Sequence, residues 1–178
     1  MEALRNAFKF FEVGHYVKID NEYYRITGKD FLIYDYTHSS SVSAGGETSD
    51  IEISASEPKE GQIYGFLIAP INDVQVYLKQ PSAVSRWGVK TSPLQPITLD
   101  ISSPEDPNPA TLVFTKENNP ITLRFGNPTN TSLTPQVRFI GFKYSIEKVT
   151  DMDAVSRLMR LADEGKLPII QFRGVSNQ

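Results

Sequence analysis

The chain has 178 residues, of which 39% are apolar and 11% aromatic, a composition that suits one domain with a hydrophobic core. Its 18 Lys and Arg against 21 Asp and Glu give a net charge of −3, and no two basic residues are adjacent, so nucleic-acid binding is not expected. Cysteine is absent, which excludes disulfides, thiolate catalysis and Cys-ligated metal sites.

The first predicted element is an N-terminal arm or short helix over residues 1–12. Leu4, Ala7, Phe8 and Phe11 recur at helical spacing, so this segment either docks on a sheet as a helix or reaches a neighbouring subunit or a membrane surface as an arm. Nothing else in the sequence supports membrane contact. The chain has neither a signal-peptide pattern nor an apolar stretch of membrane-spanning length, so we expect a cytoplasmic protein, or a virion protein if its source is a virus.

A β domain is predicted over residues 13–149. Three early segments, HYVKI, YYRIT and FLIYDYT, are rich in β-branched and aromatic residues and are separated by DNE and GKD, which predicts strands joined by turns. Apolar and polar residues then alternate, as is typical of antiparallel strands with one buried face. The alternating segments are 51–55, 74–78, 97–101, 111–115 and 121–125.

Two further segments of this domain are apolar on both faces. QIYGFLIAPI predicts a strand that is covered on both sides, and QVRFIGFKYSIEKV predicts a long strand with an apolar row at Ile140, Phe142, Tyr144 and Ile146. Pro- and Asn-rich connectors separate these strands at roughly ten-residue intervals. Together these patterns favour an antiparallel β-sandwich.

Residues 150–178 are predicted to form a C-terminal helix followed by a terminal strand. Thr150 is a candidate N-cap, with Asp153 three residues later, and Gly165 is a candidate stop signal. The helix has an apolar stripe formed by Met152, Val155, Leu158, Met159 and Ala162. The segment PIIQFRG then predicts a strand that either closes the sheet of its own chain or extends the sheet of a neighbour.

No pattern in the sequence indicates a catalytic, cofactor or metal site. The two histidines are His15 and His38, and Asp35 with His38 would supply only two metal ligands. There is no nucleophile elbow and no phosphate-binding glycine loop. We therefore expect a protein that is not an enzyme and that needs no cofactor.

The candidate contact residues are large side chains outside the regular strand series. Trp87, the only tryptophan, lies beside Arg86 in a Pro-rich segment, and these two residue types are enriched at binding hot spots. Trp87 either anchors its own loop, contacts a neighbouring subunit or stacks on a sugar. The terminal segments add four candidate contacts, which are Phe8, Phe11, Ile170 and Phe172.

The strand spacing over residues 51–149, with VRFIGFKYSIEKV and the helix after it, resembles small β-sandwich virion proteins of bacteriophages and related viruses, including single jelly-roll capsid proteins. The resemblance implies a jelly-roll-like fold, many copies per particle and contacts with other virion proteins through loops and termini. The first hypothesis is therefore a self-assembling structural protein. The second is a monomeric β-sandwich module that binds a carbohydrate or another small ligand, with Trp87, Tyr77 or the Tyr23–Tyr24 pair as a stacking surface.

Overall fold

The computed structural model describes residues 4–5, 8–53, 58–78, 82–84 and 112–172. Ten strands and one helix follow one another within these residues. In chain order they are β1 (Tyr16–Ile19), β2 (Glu22–Thr37), β3 (Ile51–Ile53), β4 (Gln62–Pro70), β5 (Gln75–Leu78), β6 (Ser82–Val84), β7 (Leu112–Lys116), β8 (Ile121–Gly126), β9 (Gln136–Lys148), α1 (Met152–Asp163) and β10 (Ile169–Ile170). The predicted strand at 97–101 and the Arg86–Trp87 segment lie outside the described residues.

The described strands form two sheets, so the fold is mainly β with one C-terminal helix, as predicted. The larger sheet has seven strands in the order β10-β1-β2-β9-β4-β7-β6, and the smaller has three in the order β3-β8-β5. Neighbouring strands are antiparallel except β1 and β10, which are parallel. A fully antiparallel fold is therefore a wrong prediction at this edge, because α1 connects β9 to a strand that runs in the same direction as β9.

The first core lies between the two sheets and is called the sandwich core here. The larger sheet contributes side chains such as Phe66 and Phe139, and the smaller sheet contributes Leu123 and Phe125. Phe66 and Phe139 make an edge-to-face contact with ring centroids 5.6 Å apart. The strand β4 is buried from Ile63 to Ile68, which confirms the prediction of a strand that is covered on both faces.

The second core, called the outer core, covers the opposite face of the larger sheet. Phe8 and Phe11 pack there on Phe114 and Tyr144, with ring centroids between 5.2 and 6.4 Å apart. Among the described N-terminal residues, Leu4 and Arg5 are helical, and a bond from the Phe8 amide to the Leu4 carbonyl at 3.2 Å closes a single turn. No longer N-terminal helix is present among them, so the prediction of a short helix is wrong beyond this turn. Two aromatic anchors fix the segment there, and aromatic residues are weak helix formers.

The strand β2 is continuous over sixteen residues, where the sequence predicted two strands with a turn at GKD. Its pairing with β9 shifts register between Ile26 and Gly28, which marks a β-bulge. Gly28 thus lies within a strand, where glycine is typical of a bulge as well as of a turn. The bulge bends the strand without interrupting the sheet.

The helix α1 packs mainly through Leu158, which lies in a small cluster with Tyr23 and Leu167. Its N-cap is Asp151, whose carboxylate accepts a bond from the Ala154 amide at 2.9 Å, so the predicted Thr150 cap is wrong by one residue. Two residues of the predicted apolar stripe are not buried, since Met152 is 75% exposed and Met159 is 50% exposed. These two methionines face away from the residues that bury Leu158.

Candidate functional site

An open apolar patch lies on the outer-core face of the larger sheet, beyond the part that Phe8 covers. We define it as Phe31 and Ile33 of β2 with Ile140 and Phe142 of β9, since Phe31 pairs with Phe142 and Ile33 with Ile140. Phe31 is 49% exposed and Ile33 is 50% exposed. Two large apolar side chains are thus half in solvent, adjacent to a buried aromatic cluster.

The β-bulge explains why these side chains share that face. Before the bulge, Ile26 points into the outer core, so even-numbered residues of β2 face it. After the bulge the alternation is reversed, and Phe31 contacts Phe142 edge-to-face with ring centroids 6.1 Å apart while Leu32 packs on the sandwich core. One inserted residue therefore places Phe31 and Ile33 on the outer face.

The same part of β2 has an unpaired outer edge among the described residues. The strand β1 pairs only with residues 22–25, and Ile26 exchanges backbone bonds with Gly14 and His15 at 2.8 and 2.9 Å. No described strand pairs with the outer edge over residues 27–37, while the inner edge is bonded to β9 along that length. A long apolar strand with an unpaired edge offers a surface for another strand.

Two ion pairs border the open apolar patch. Lys29 contacts Glu12 at 2.6 Å and lies 4.3 Å from the ring centroid of Phe142. At the other end, Arg138 donates two hydrogen bonds to Asp35, at 2.7 and 2.9 Å. These bonds from Arg138 hold the pKa of the Asp35 carboxyl below its usual value. Each end of the patch is thus bordered by a cation that is paired with an anion.

A second feature is a polar cleft of about 730 Å³ at one end of the larger sheet. Lys148 contacts Glu22 at 2.7 Å, and the Tyr24 hydroxyl donates to the same carboxylate at 2.8 Å. The bond from Lys148 is the main cause that lowers the pKa of Glu22, while burial, with Glu22, raises the pKa of Tyr24 to about 12. Near neutral pH the carboxylate is therefore ionised and the phenol protonated.

Asp20 has a structural role at this cleft. One of its carboxylate oxygens accepts a bond from the Phe172 amide at 2.8 Å, and the other pairs with Lys116 at 2.8 Å. Asp20 has a positive φ of 55°, in the turn that joins β1 to β2. Its interactions hold this turn, the C-terminal segment and β7 together.

The histidine and carboxylate pair considered in the sequence is not arranged as a metal site. Asp35 pairs with Arg138, whereas Nδ1 of His38 lies 3.2 Å from the Tyr36 hydroxyl. A search of the described residues finds no group of three His, Asp or Glu side chains that could hold a metal ion. The same residues include no helix with the length and apolar content to cross a bilayer.

The terminal residues predicted as contacts lie inside the chain's own outer core. Phe8 and Ile170 are fully buried, Phe11 is 2% exposed and Phe172 is 6% exposed. The strand β10 pairs with β1 of the same chain, so Ile170 and Phe172 would contact a neighbour only if this strand were exchanged between subunits. Arg86 and Trp87 lie outside the described residues and stay predictions.

Sequence reasoning missed Phe31 and Ile33 as surface residues. FLIYDYT was identified as a strand, but a strand that is apolar on both faces and flanked by polar residues also fits a surface strand with one uncovered face. The signal that could have identified them was Gly28, since glycine within a strand indicates a bulge and hence a change of face.

Comparison of the chain with protein-family models, curated proteins and solved structures gives no match.

Proposed function

We propose that this chain is a non-enzymatic structural protein that self-assembles, and that it is a component of a virion. The observation that supports this function best is the open apolar patch, where Phe31 and Ile33 are each about half exposed. Exposed apolar clusters of this kind mark interaction surfaces on soluble proteins. None of the described strands pairs with the adjacent outer edge of β2, which adds a second reason to expect a protein partner there.

The virion part of the proposal rests on architecture. Two packed sheets with a helix at the C-terminus suit a jelly-roll-like subunit of a capsid or of another virion part, with other copies and other virion proteins as its partners.

Self-assembly is tested by light scattering of the purified chain over a range of concentrations, with negative-stain images of large species. The wild-type chain is expected to form defined oligomers, and Ile33→Lys is expected to shift them toward monomer because a charge would be buried at the contact. Met159→Lys is the matched control, because Met159 is also 50% exposed but lies on α1. A monomer at every concentration would contradict the proposal.

A second candidate function is a monomeric carbohydrate-binding module, which the open polar cleft favours. The cleft is lined by carboxylates, amides and lysines, with Tyr24 in its wall. A strictly monomeric chain that binds a glycan, and loses that binding in Tyr24→Ala but not in Ile33→Lys, would favour this alternative.

A further inference from the structure

The outer edge of β2 has a regular pattern of outward-pointing backbone groups. The His38 amide bonds to the Pro135 carbonyl at 2.9 Å, at the end of the continuous ladder between β2 and β9. Because hydrogen-bonded positions alternate along an antiparallel ladder, the even-numbered residues from 28 to 36 bond to β9. The amides and carbonyls of Lys29, Phe31, Ile33 and Asp35 therefore point away from β9.

We propose that two copies of this chain pair through these edges, with their β2 strands antiparallel about a two-fold axis at Leu32. The larger sheet then continues from one subunit into the other. This inference rests on the proposed self-assembly and identifies its first contact. The partner of the β2 edge is then the same edge of a second copy, and Phe31 of each chain lies opposite Ile33 of the other.

The length of the unpaired edge supports this register. The described edge begins after Ile26, where Gly14 and His15 take up the backbone groups, and it ends with β2 at Thr37. Leu32 is the midpoint of residues 27–37, so a two-fold axis at Leu32 pairs the whole edge with itself. Any other axis leaves outward backbone groups unpaired, and each unpaired group that becomes buried costs free energy.

The side chains of the outer-core face support the same register. Phe31 would lie opposite Ile33 on both sides of the axis, which covers the exposed part of the open apolar patch with apolar neighbours. Lys29 would lie opposite Asp35 of the other chain. Within each chain Lys29 is already paired with Glu12, and Asp35 with Arg138, so these four side chains would form one row across the contact. The charges in that row alternate in sign, so the strand is complementary to its own antiparallel copy.

The neighbouring registers match less well. A two-fold axis at Ile33 places Phe31 opposite Asp35, and an axis at Phe31 places Lys29 opposite Ile33. Each of these axes places a charged side chain opposite an apolar one. The Leu32 axis instead places apolar side chains opposite each other and a cation opposite an anion. On the other face, the Leu32 axis also places the Asp30 carboxylate opposite the Tyr34 hydroxyl, an acceptor facing a donor.

Single cysteine substitutions can read this register directly, because the chain has no cysteine of its own. About the proposed axis, Leu32 faces its own copy as a non-hydrogen-bonded pair with Cα atoms about 4.5 Å apart, within the range of a disulfide. Under mild oxidation, Leu32→Cys is expected to shift from monomer to dimer on a non-reducing gel. Phe31→Cys and Ile33→Cys are expected to stay monomeric on the gel, since each lies too far from its own copy.

A mixture of two variants provides a second readout that does not depend on Leu32. Phe31→Cys mixed with Ile33→Cys is expected to give a disulfide-linked dimer that neither variant gives alone, because residue 31 faces residue 33 across the axis. Both positions are half exposed, so these substitutions leave the cores intact. Light scattering of the same samples under reducing conditions measures assembly independently of the disulfide.

The outcomes separate this inference from the proposed function. Oligomers by light scattering, without a Leu32→Cys dimer and without a dimer in the mixture, would overturn the β2 pairing while self-assembly stands. A dimer of Ile33→Cys or Phe31→Cys alone would overturn the proposed register. A strict monomer by scattering would overturn both proposals together.

Discussion

The hydroxyl of Tyr144 is an unusual feature of the outer core. Tyr144 is fully buried against Phe8, Phe11 and Phe142, and its hydroxyl has no hydrogen-bond partner in the described part of the chain. Burial raises the pKa of Tyr144 far above its ordinary value, so the phenol stays protonated. An unsatisfied buried hydroxyl of this kind lowers the stability of the fold.

Replacing Tyr144 by Phe is therefore expected to stabilise the protein. The substitution keeps the ring in the aromatic cluster and removes the unpaired hydroxyl, so the free energy of unfolding should rise by about 1 kcal/mol. Urea denaturation monitored by circular dichroism measures this difference. The matched control is Tyr24→Phe, whose hydroxyl donates to Glu22 and whose loss should leave the stability unchanged or slightly lower. Destabilisation by Tyr144→Phe would mean that the hydroxyl has a partner.

Single residues show how far the sequence alone can predict this structure. Phe8 and Phe11 were identified as large apolar residues outside the strands, but helical spacing suggested a helix where the structure has one turn. What fixes their position is the aromatic surface of Phe114 and Tyr144, which comes from distant strands. Local pattern predicts that such residues are buried, and tertiary packing determines where.

At the scale of elements, the start of α1 depends on a single side chain. The carboxylate of Asp151 accepts the Ala154 amide at 2.9 Å, which satisfies one of the unpaired amides of the first turn. Thr150 and Asp151 are both good cap residues, and a one-residue difference between them is below the resolution of pattern reasoning.

Substitution of these two neighbours tests the assignment of the cap. Asp151→Ala is expected to lower the free energy of unfolding by about 1 kcal/mol, because the helix loses its cap. Thr150→Ala should change it by less than about 0.5 kcal/mol. Both values follow from denaturant titrations of the two variants. An equal or larger loss in Thr150→Ala would contradict the assignment of Asp151.

Strand positions were predicted well where burial produces a local pattern, and poorly where the strand changes direction or partner. The alternation in 121–125 and the apolar run in β4 both correspond to observed strands, since alternation and a short continuous apolar run are each typical of strands. The bulge in β2 and the parallel pairing of β10 depend on the register between distant strands. No local pattern contains that information.

At the scale of the whole molecule, the larger sheet is covered differently on its two faces. The smaller sheet covers one face through the sandwich core, and the N-terminal segment covers the other through Phe8 and Phe11. The N-terminal segment is the shorter cover, and among the described residues it leaves Phe31 and Ile33 half exposed. The candidate assembly surface therefore follows from the unequal size of the two covers.

Burial of tyrosines across the fold gives the whole molecule a dependence on alkaline pH. Of the eight tyrosines, Tyr23, Tyr24, Tyr36 and Tyr144 have raised pKa values, and burial is the first cause for each. Above the ordinary phenol pKa of 10.0, the unfolded chain loses these protons before the folded chain does. The unfolded state then binds fewer protons, so the free energy of unfolding must fall as the pH rises.

Below pH about 10, the protonated tyrosines are therefore expected to make their full contribution to the free energy of unfolding. This contribution is expected to decrease as the pH rises from about 10 through about 12, the folded-state pKa of Tyr24. Urea denaturation at pH about 9 and about 11 measures the loss, and absorbance at the tyrosinate band compares the titration of native and unfolded chains. Tyr144→Phe removes one of the four groups and should reduce the decrease. If native and unfolded chains released their phenolic protons over the same pH range, burial would not be protecting these tyrosines, and the cores described here would have to be more accessible to water than their packing implies.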